Sequence, residues 1–136
     1  DQCVNEKLTP LLPNKDIKIW AGVDASTKGD SSAVVAVTRR DNKVILANYR
    51  KWQPSQKNPL DLELTIEKYL LDLSRAFNLQ TVYFDPFQMH RSAVTLKKKG
   101  IFMHELPQTV SNCIDFSQNF YDLIQFGNIQ FYPRKK

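Results

Sequence analysis

Three strand-like segments follow one another between Ile17 and Trp52, joined by connections of only a few residues. Ile17, Ile19, Ala21 and Val23 alternate with Lys18, Trp20, Gly22 and Asp24, which is the period of two of a strand ending at Asp24. Ala25 to Asp30 is rich in Ser, Thr, Lys and Gly and reads as a turn. Ser32 to Thr38 is a second, buried-type strand, and Asp41-Asn42 turns the chain into a third, Lys43 to Trp52, with Val44, Leu46, Asn48 and Arg50 expected on one face. Links this short cannot carry a crossover, so the three strands form an antiparallel meander.

A polar break from Pro54 to Pro59 separates this meander from a helical part. Ile66, Leu70, Leu73 and Phe77 recur at helical spacing and predict a helix over Leu60 to Phe77, ended by Asn78. Thr81 to Asp85 is a short fourth strand, broken by Pro86. Gln88 to Lys99 is a second helix with Gly100 as its C-terminal cap, and Ile101 to Leu106 a fifth strand. After a loop from Pro107 to Val110, a third helix is expected over Asn112 to Phe126, closed by Gly127, then a short extended stub from Ile129 to Tyr132. The expected fold is α/β, a mixed five-stranded sheet of three meander strands plus two parallel strands, flanked by helices. The right-handed crossover rule places the fourth strand beside the first, on the side away from the second.

Composition narrows the function classes. The 136 residues fit one domain and include no apolar stretch near the roughly 20 residues of a membrane span. No secretory signal pattern is present. Residues 1–15 read as a lead-in or linker and residues 16–136 as the domain; the first residue, Asp1, and the final Arg134-Lys135-Lys136 make both ends look cut. Cys3 and Cys113 have no metal-ligand spacing and read as two free thiols in a reducing compartment. The net charge of +5, with a cluster at Lys97-Lys98-Lys99, is compatible with a polyanion partner.

The residues that carry chemistry are Asp24 and Asp85. Each closes a strand, and if those strands are parallel neighbours their ends lie about 4.8 Å apart. Each falls on the less aliphatic phase: Asp24 with Lys18, Trp20 and Gly22, Asp85 with Thr81 and Tyr83. Two close carboxylates repel, and a divalent cation removes that penalty; oxygen ligands of this kind suit Mg²⁺ or Mn²⁺. Either aspartate alone also fits an ordinary strand end or turn, so it is the pair in this topology that points to a metal site.

These segments also resemble a known family. Gly22-Val23-Asp24-Ala25-Ser26, with Lys28-Gly29-Asp30-Ser31-Ser32-Ala33-Val34-Val35, is similar to the start of the nuclease domain of tailed-phage large terminase subunits. Tyr83-Phe84-Asp85-Pro86-Phe87 resembles that family's second acidic strand end. Glu105-Leu106-Pro107-Gln108, the helix Phe116 to Phe126 and Gly127-Asn128-Ile129 resemble the family's later segments, so the likeness covers residues 17–133. It implies a ribonuclease H-like fold, Mg²⁺- or Mn²⁺-dependent cleavage of double-stranded viral DNA during genome packaging, and Asp24 and Asp85 as catalytic metal ligands. It also implies an upstream ATPase domain in the same polypeptide, a small terminase subunit and a portal as partners, and residence in the host cytoplasm. Family members carry a further acidic residue beyond the last strand, which here would fall past Lys136, so weak metal binding and little cleavage are expected of residues 1–136 alone. No phosphate-binding loop of the packaging ATPase occurs in the chain.

Other residues rank lower. Glu63 lies on the edge of the first helix's stripe and could reach the sheet end, whereas Glu67 is expected to turn toward solvent. Asp30 reads as a turn residue near the site. His90 is expected on the surface of the second helix, and His104 has no ligand spacing to it. Ser26, Ser31 and Ser32 lack a paired base, which speaks against a serine hydrolase. Lys97 to Lys99 and Arg91 are candidate phosphate contacts. Alternative readings are another ribonuclease H-like nuclease of the transposase or resolvase type, and a non-catalytic DNA-binding fragment of that fold. An actin-like kinase would need a Gly-rich phosphate turn after the first strand, which is missing.

Overall fold

The computed structural model describes residues 10–25, 31–53, 57–59, 61–106 and 129–130. Three long strands come first: β1 (Asn14–Asp24), β2 (Ser32–Arg40) and β3 (Lys43–Trp52). Asp41 and Asn42 both have positive φ, 51° and 63°, the geometry of a two-residue hairpin whose twist matches its strands. A π-helical turn (Glu63–Glu67) leads into α1 (Lys68–Ala76), which passes directly into β4 (Phe77–Phe84). Then come α2 (Pro86–Lys98), β5 (Met103–Glu105) and β6 (Ile129–Gln130).

The sheet order is β5-β4-β1-β2-β3-β6. β1, β2 and β3 are antiparallel neighbours, and β1, β4 and β5 are parallel. The five expected strands are therefore present in the expected directions, with β4 on the far side of β1 from β2. The stub after Gly127 adds a two-residue sixth strand, parallel to β3 at Val44 and Ile45. The third helix expected over Asn112 to Phe126 lies outside the described residues.

Both helices pack against one face of the sheet. Ile19, Ala21, Val34, Ala36, Val82 and Phe84 meet Ile66, Leu70 and Leu73 from the α1 side and Met89, Ala93 and Leu96 from α2 in one buried cluster. Each fully buried Leu, Ile or Phe contributes roughly 1.5–3 kcal/mol, so this layer holds the helices to the strands. Tyr69 of α1 adds a hydrogen bond to Asn48 Oδ1 at 2.6 Å and an edge-on contact with Trp52 at 5.7 Å. Arg50 lies over the Trp52 ring at 5.5 Å.

Three local departures from the expected pattern have physical causes. The helix expected to run through Phe77 stops at Ala76, and Phe77 is extended, with φ −132° and ψ 176°. Its buried position is shared by both readings, but pairing with β1 decides in favour of a strand, since Asn14, Lys18 and Ile19 pair with Phe77, Asn78 and Leu79. Lys15 on β1 closes the helix end, its ammonium donating to the carbonyls of Ser74 at 2.7 Å and Phe77 at 3.2 Å. The second departure is in β3. Ala36 pairs with Asn48 but Val37 with Leu46, so Ala47 is an extra, bulged residue. The bulge inverts the phase: Val44 and Leu46 follow Val37, while Asn48 and Arg50 follow Ala36 and Val34 on the helix side, and the single face expected for all four is split. Ile45, Leu46 and Ala47 are buried in succession for the same reason.

The third departure concerns Glu67. The Glu67 amide donates to the Leu62 carbonyl five residues back, at 2.9 Å. The π-turn ends at Glu67, and Ile66, Leu70 and Leu73 keep the buried stripe that helical spacing predicts. Glu67, beside that stripe, is 7% exposed and not turned toward solvent as expected; the Ser92 hydroxyl gives its carboxylate a buried partner.

The end of α2 meets expectation. The Ile101 amide donates to Leu96 O at 3.1 Å and the Gly100 amide to Lys97 O at 3.0 Å, with Gly100 at φ +89°. This is the Schellman pattern, completed by burial of Ile101 beside Leu96.

Candidate functional site

The upper end of the sheet is built by the pairing of β1 with β4. From Trp20↔Thr81 the register runs without interruption to Val23↔Phe84. Asp24 and Asp85 each follow that last pair by one residue, so the two positions stand side by side at the C-terminal ends of adjacent parallel strands. Asp24 is the exposed final residue of β1, and Asp85 is half-buried between β4 and Pro86, the first residue of α2. Val82 and Phe84 point into the core and Tyr83 out of it, so Asp24 shares its phase with Trp20 and Gly22, and Asp85 continues that of Tyr83.

Register also identifies neighbours that the linear sequence hides. Asp24 pairs with Ala33, and Ala33 with Lys51, so exposed Lys51 lies in the same row and on the same face, two strands away. At about 4.8 Å per strand that is roughly 10 Å. The row beneath holds Tyr49, Val35, Gly22, Tyr83 and His104. The rings of Tyr83 and His104 meet edge-on, with centroids 5.4 Å apart. Among the described residues, a Cβ built on Gly22 would meet nothing within 4 Å. Ligand spacing alone overlooks His104, because a helix separates it from His90. The usable signal is the parallel placement of β5 beside β4, which sets His104 next to Tyr83.

The remaining candidates are dispersed. Glu67 lies between the π-turn and α2 and accepts a hydrogen bond from Ser92 Oγ at 3.0 Å. Asp30 and the Glu63 side chain lie outside the described residues, as do Cys3 and Cys113. His90 is exposed on α2, as expected. Lys97, Lys98 and Lys99 are exposed at the far end of α2, about 20 Å along its 13 residues from Asp85. Among the described residues no three His, Cys, Asp or Glu side chains converge on one point. Asp24 and Asp85 are two oxygen-donor residues side by side, a set that suits a hard divalent cation.

Comparison with solved structures bears directly on this topology. The large terminase of bacteriophage HK97 superposes with a TM-score of 0.70 at 16% identity, over 90% of this chain and 31% of that one. The large terminase from the thermophilic bacteriophage D6E, in complex with ATP-gamma-S, gives 0.70 at 14% identity, over 91% and 31%. The large terminase nuclease from the thermophilic phage G20c, with bound magnesium, gives 0.70 at 18% identity, over 91% and 62%. The fold is that of the large-terminase nucleases. At these identities the likeness is one of fold, and the chain spans about a third of the HK97 and D6E proteins and about three-fifths of the G20c chain. No protein-family profile matches the sequence, and no curated protein matches it. Within this fold the strand-end row runs Lys51, Ala33, Asp24, with Asp85 beside Asp24. Among the described residues no helix is long and apolar enough to cross a membrane.

Proposed function

We propose that this chain is a metal-dependent endonuclease domain that cleaves double-stranded DNA, of the kind that works in viral genome packaging. The observation that carries the reading is the uninterrupted register from Trp20↔Thr81 to Val23↔Phe84, which sets Asp24 beside Asp85 at the strand ends of a terminase-nuclease fold. The G20c nuclease of the same fold has been crystallised with magnesium and with zinc, which supports a divalent ion here. Asp24 and Asp85 would hold Mg²⁺ or Mn²⁺. Such an ion, when bound, lowers the pKa of a ligated water and neutralises charge on a phosphodiester oxygen. The chain's own contribution is to hold two carboxylates at fixed spacing and to offer cationic Lys51 in the same row for a backbone phosphate.

An upstream ATPase domain, a small terminase subunit and a portal are the partners this reading brings with it, and the host cytoplasm the compartment. The test is nicking of supercoiled plasmid with Mg²⁺ or Mn²⁺ by the native chain, Asp24→Asn and Asp85→Asn, beside calorimetric titration of Mn²⁺ into each. Loss of Mn²⁺ heat in both variants is expected. Binding and nicking that survive both substitutions would sink the assignment.

A further inference from the structure

At the far end of α2 from the aspartates, the turn between α2 and β5 carries three features that the proposed cleavage reaction does not use. Lys97, Lys98 and Lys99 are exposed there as consecutive cations. Phe102 comes within three residues of them and is 74% exposed, an unusual state for so large an apolar side chain. Lys97, Gly100, Ile101, Phe102 and Met103 enclose an open depression of about 330 Å³.

Backbone hydrogen bonds tie this corner together. The Schellman turn at Gly100 locks the end of α2, and Phe102 O accepts from the Val82 amide at 2.8 Å, so the depression has a fixed wall. β5 is an edge strand among the described residues. Phe102 O and the Leu106 amide face β4, so the alternate residues Met103 and Glu105 turn their backbone donors and acceptors outward. An extended segment pairs readily with such an edge.

We propose that this corner docks an extended acidic peptide segment of a partner protein, which adds a strand to β5. One apolar side chain of that segment sits in the depression against Phe102, and its carboxylates meet Lys97 to Lys99. Nucleic acid fits less well. It would use the lysines, which lie about 20 Å along α2 from Asp85, but it has no use for an open strand edge.

The test uses the isotope-labelled native chain. It is titrated with a short synthetic peptide in which Glu and Asp alternate with Leu and Phe. Parallel titrations use a peptide with Ser in place of Leu and Phe, and a duplex oligonucleotide. Expected are amide shifts centred on residues 97–105 with the first peptide, weakened roughly tenfold or more by Phe102→Ser or by Lys97→Glu with Lys98→Glu. The changed side chains are exposed, so melting temperatures should hold and separate lost binding from lost folding. Equal shifts with the Ser-containing peptide, no shifts with the first peptide, or tighter binding of the duplex at the same amides would overturn the proposal. None of these outcomes depends on metal binding at Asp24 and Asp85.

Discussion

Replacing Ser92 by alanine removes the hydroxyl that donates to Glu67 across the junction of the π-turn and α2. The two groups are 5% and 7% exposed and their oxygens lie 3.0 Å apart, so water does not readily replace the lost donor. A buried polar group left without its partner costs about 1–3 kcal/mol. At this chain length each kcal/mol moves the melting temperature by about 4 °C, which gives an expected fall of ~4–12 °C. The assay is urea unfolding followed by fluorescence of Trp20 and Trp52, with far-UV dichroism as a second probe. The slope with denaturant should stay constant, because the substitution exposes no new surface on unfolding. A double-mutant cycle with Glu67→Leu isolates the pair. With both polar groups gone the penalty should largely vanish, leaving a coupling of about 0.5–3 kcal/mol. The buried pairing of Glu67 with Ser92 is falsified if Ser92→Ala changes stability by less than about 0.5 kcal/mol, the range of a surface substitution.

Other expectations have equally local causes. Gly100→Ala should destabilise by about 1–2 kcal/mol, since φ is +89° and the added Cβ meets no neighbour, leaving backbone conformation as the sole cause; thermal melts measure it, and an unchanged melting temperature contradicts it. Lys15→Met should cost about 1 kcal/mol by releasing the carbonyls of Ser74 and Phe77, with amide exchange accelerating first in the last turn of α1. Lys51→Ala should weaken duplex DNA binding at low salt and lower the slope of log affinity against log salt by about one, with no preference for sequence. An unaltered slope would remove Lys51 from the phosphate contacts.

The parts of the fold legible from the sequence are those governed by local rules. Alternation from Ile17 to Asp24, the Asp41-Asn42 hairpin and Gly100 as a cap are each short-range statements, and the structure meets them. The juxtaposition of Asp24 and Asp85 needs one further rule, the handedness of the crossover that brings β4 beside β1. The features that escape a sequence reading depend on register. Nothing in Ile45-Leu46-Ala47 marks Ala47 as the extra residue; that comes from fitting β3 to β2 and to the helices at once. A helical count misplaces Glu67 because its burial depends on a partner, Ser92, that α2 brings from 25 residues away. Lys51 and His104 reach the site's face only through pairings with residues far away in the chain.

The irregular register between β1 and β4 has a consequence for chain length. Shifts occur between Asn14 and Lys18 and between Ile19 and Trp20, whereas the rungs from Trp20 to Val23 are regular. An inserted residue in the lower stretch can be absorbed as one more irregularity, with Asp24 keeping its level and its side of the sheet. The same insertion between Trp20 and Val23 would send Asp24 to the helix side and strand it against the core. Chains that keep this aspartate pair are therefore free to vary in length below Ile19 and bound to an unvarying count above it.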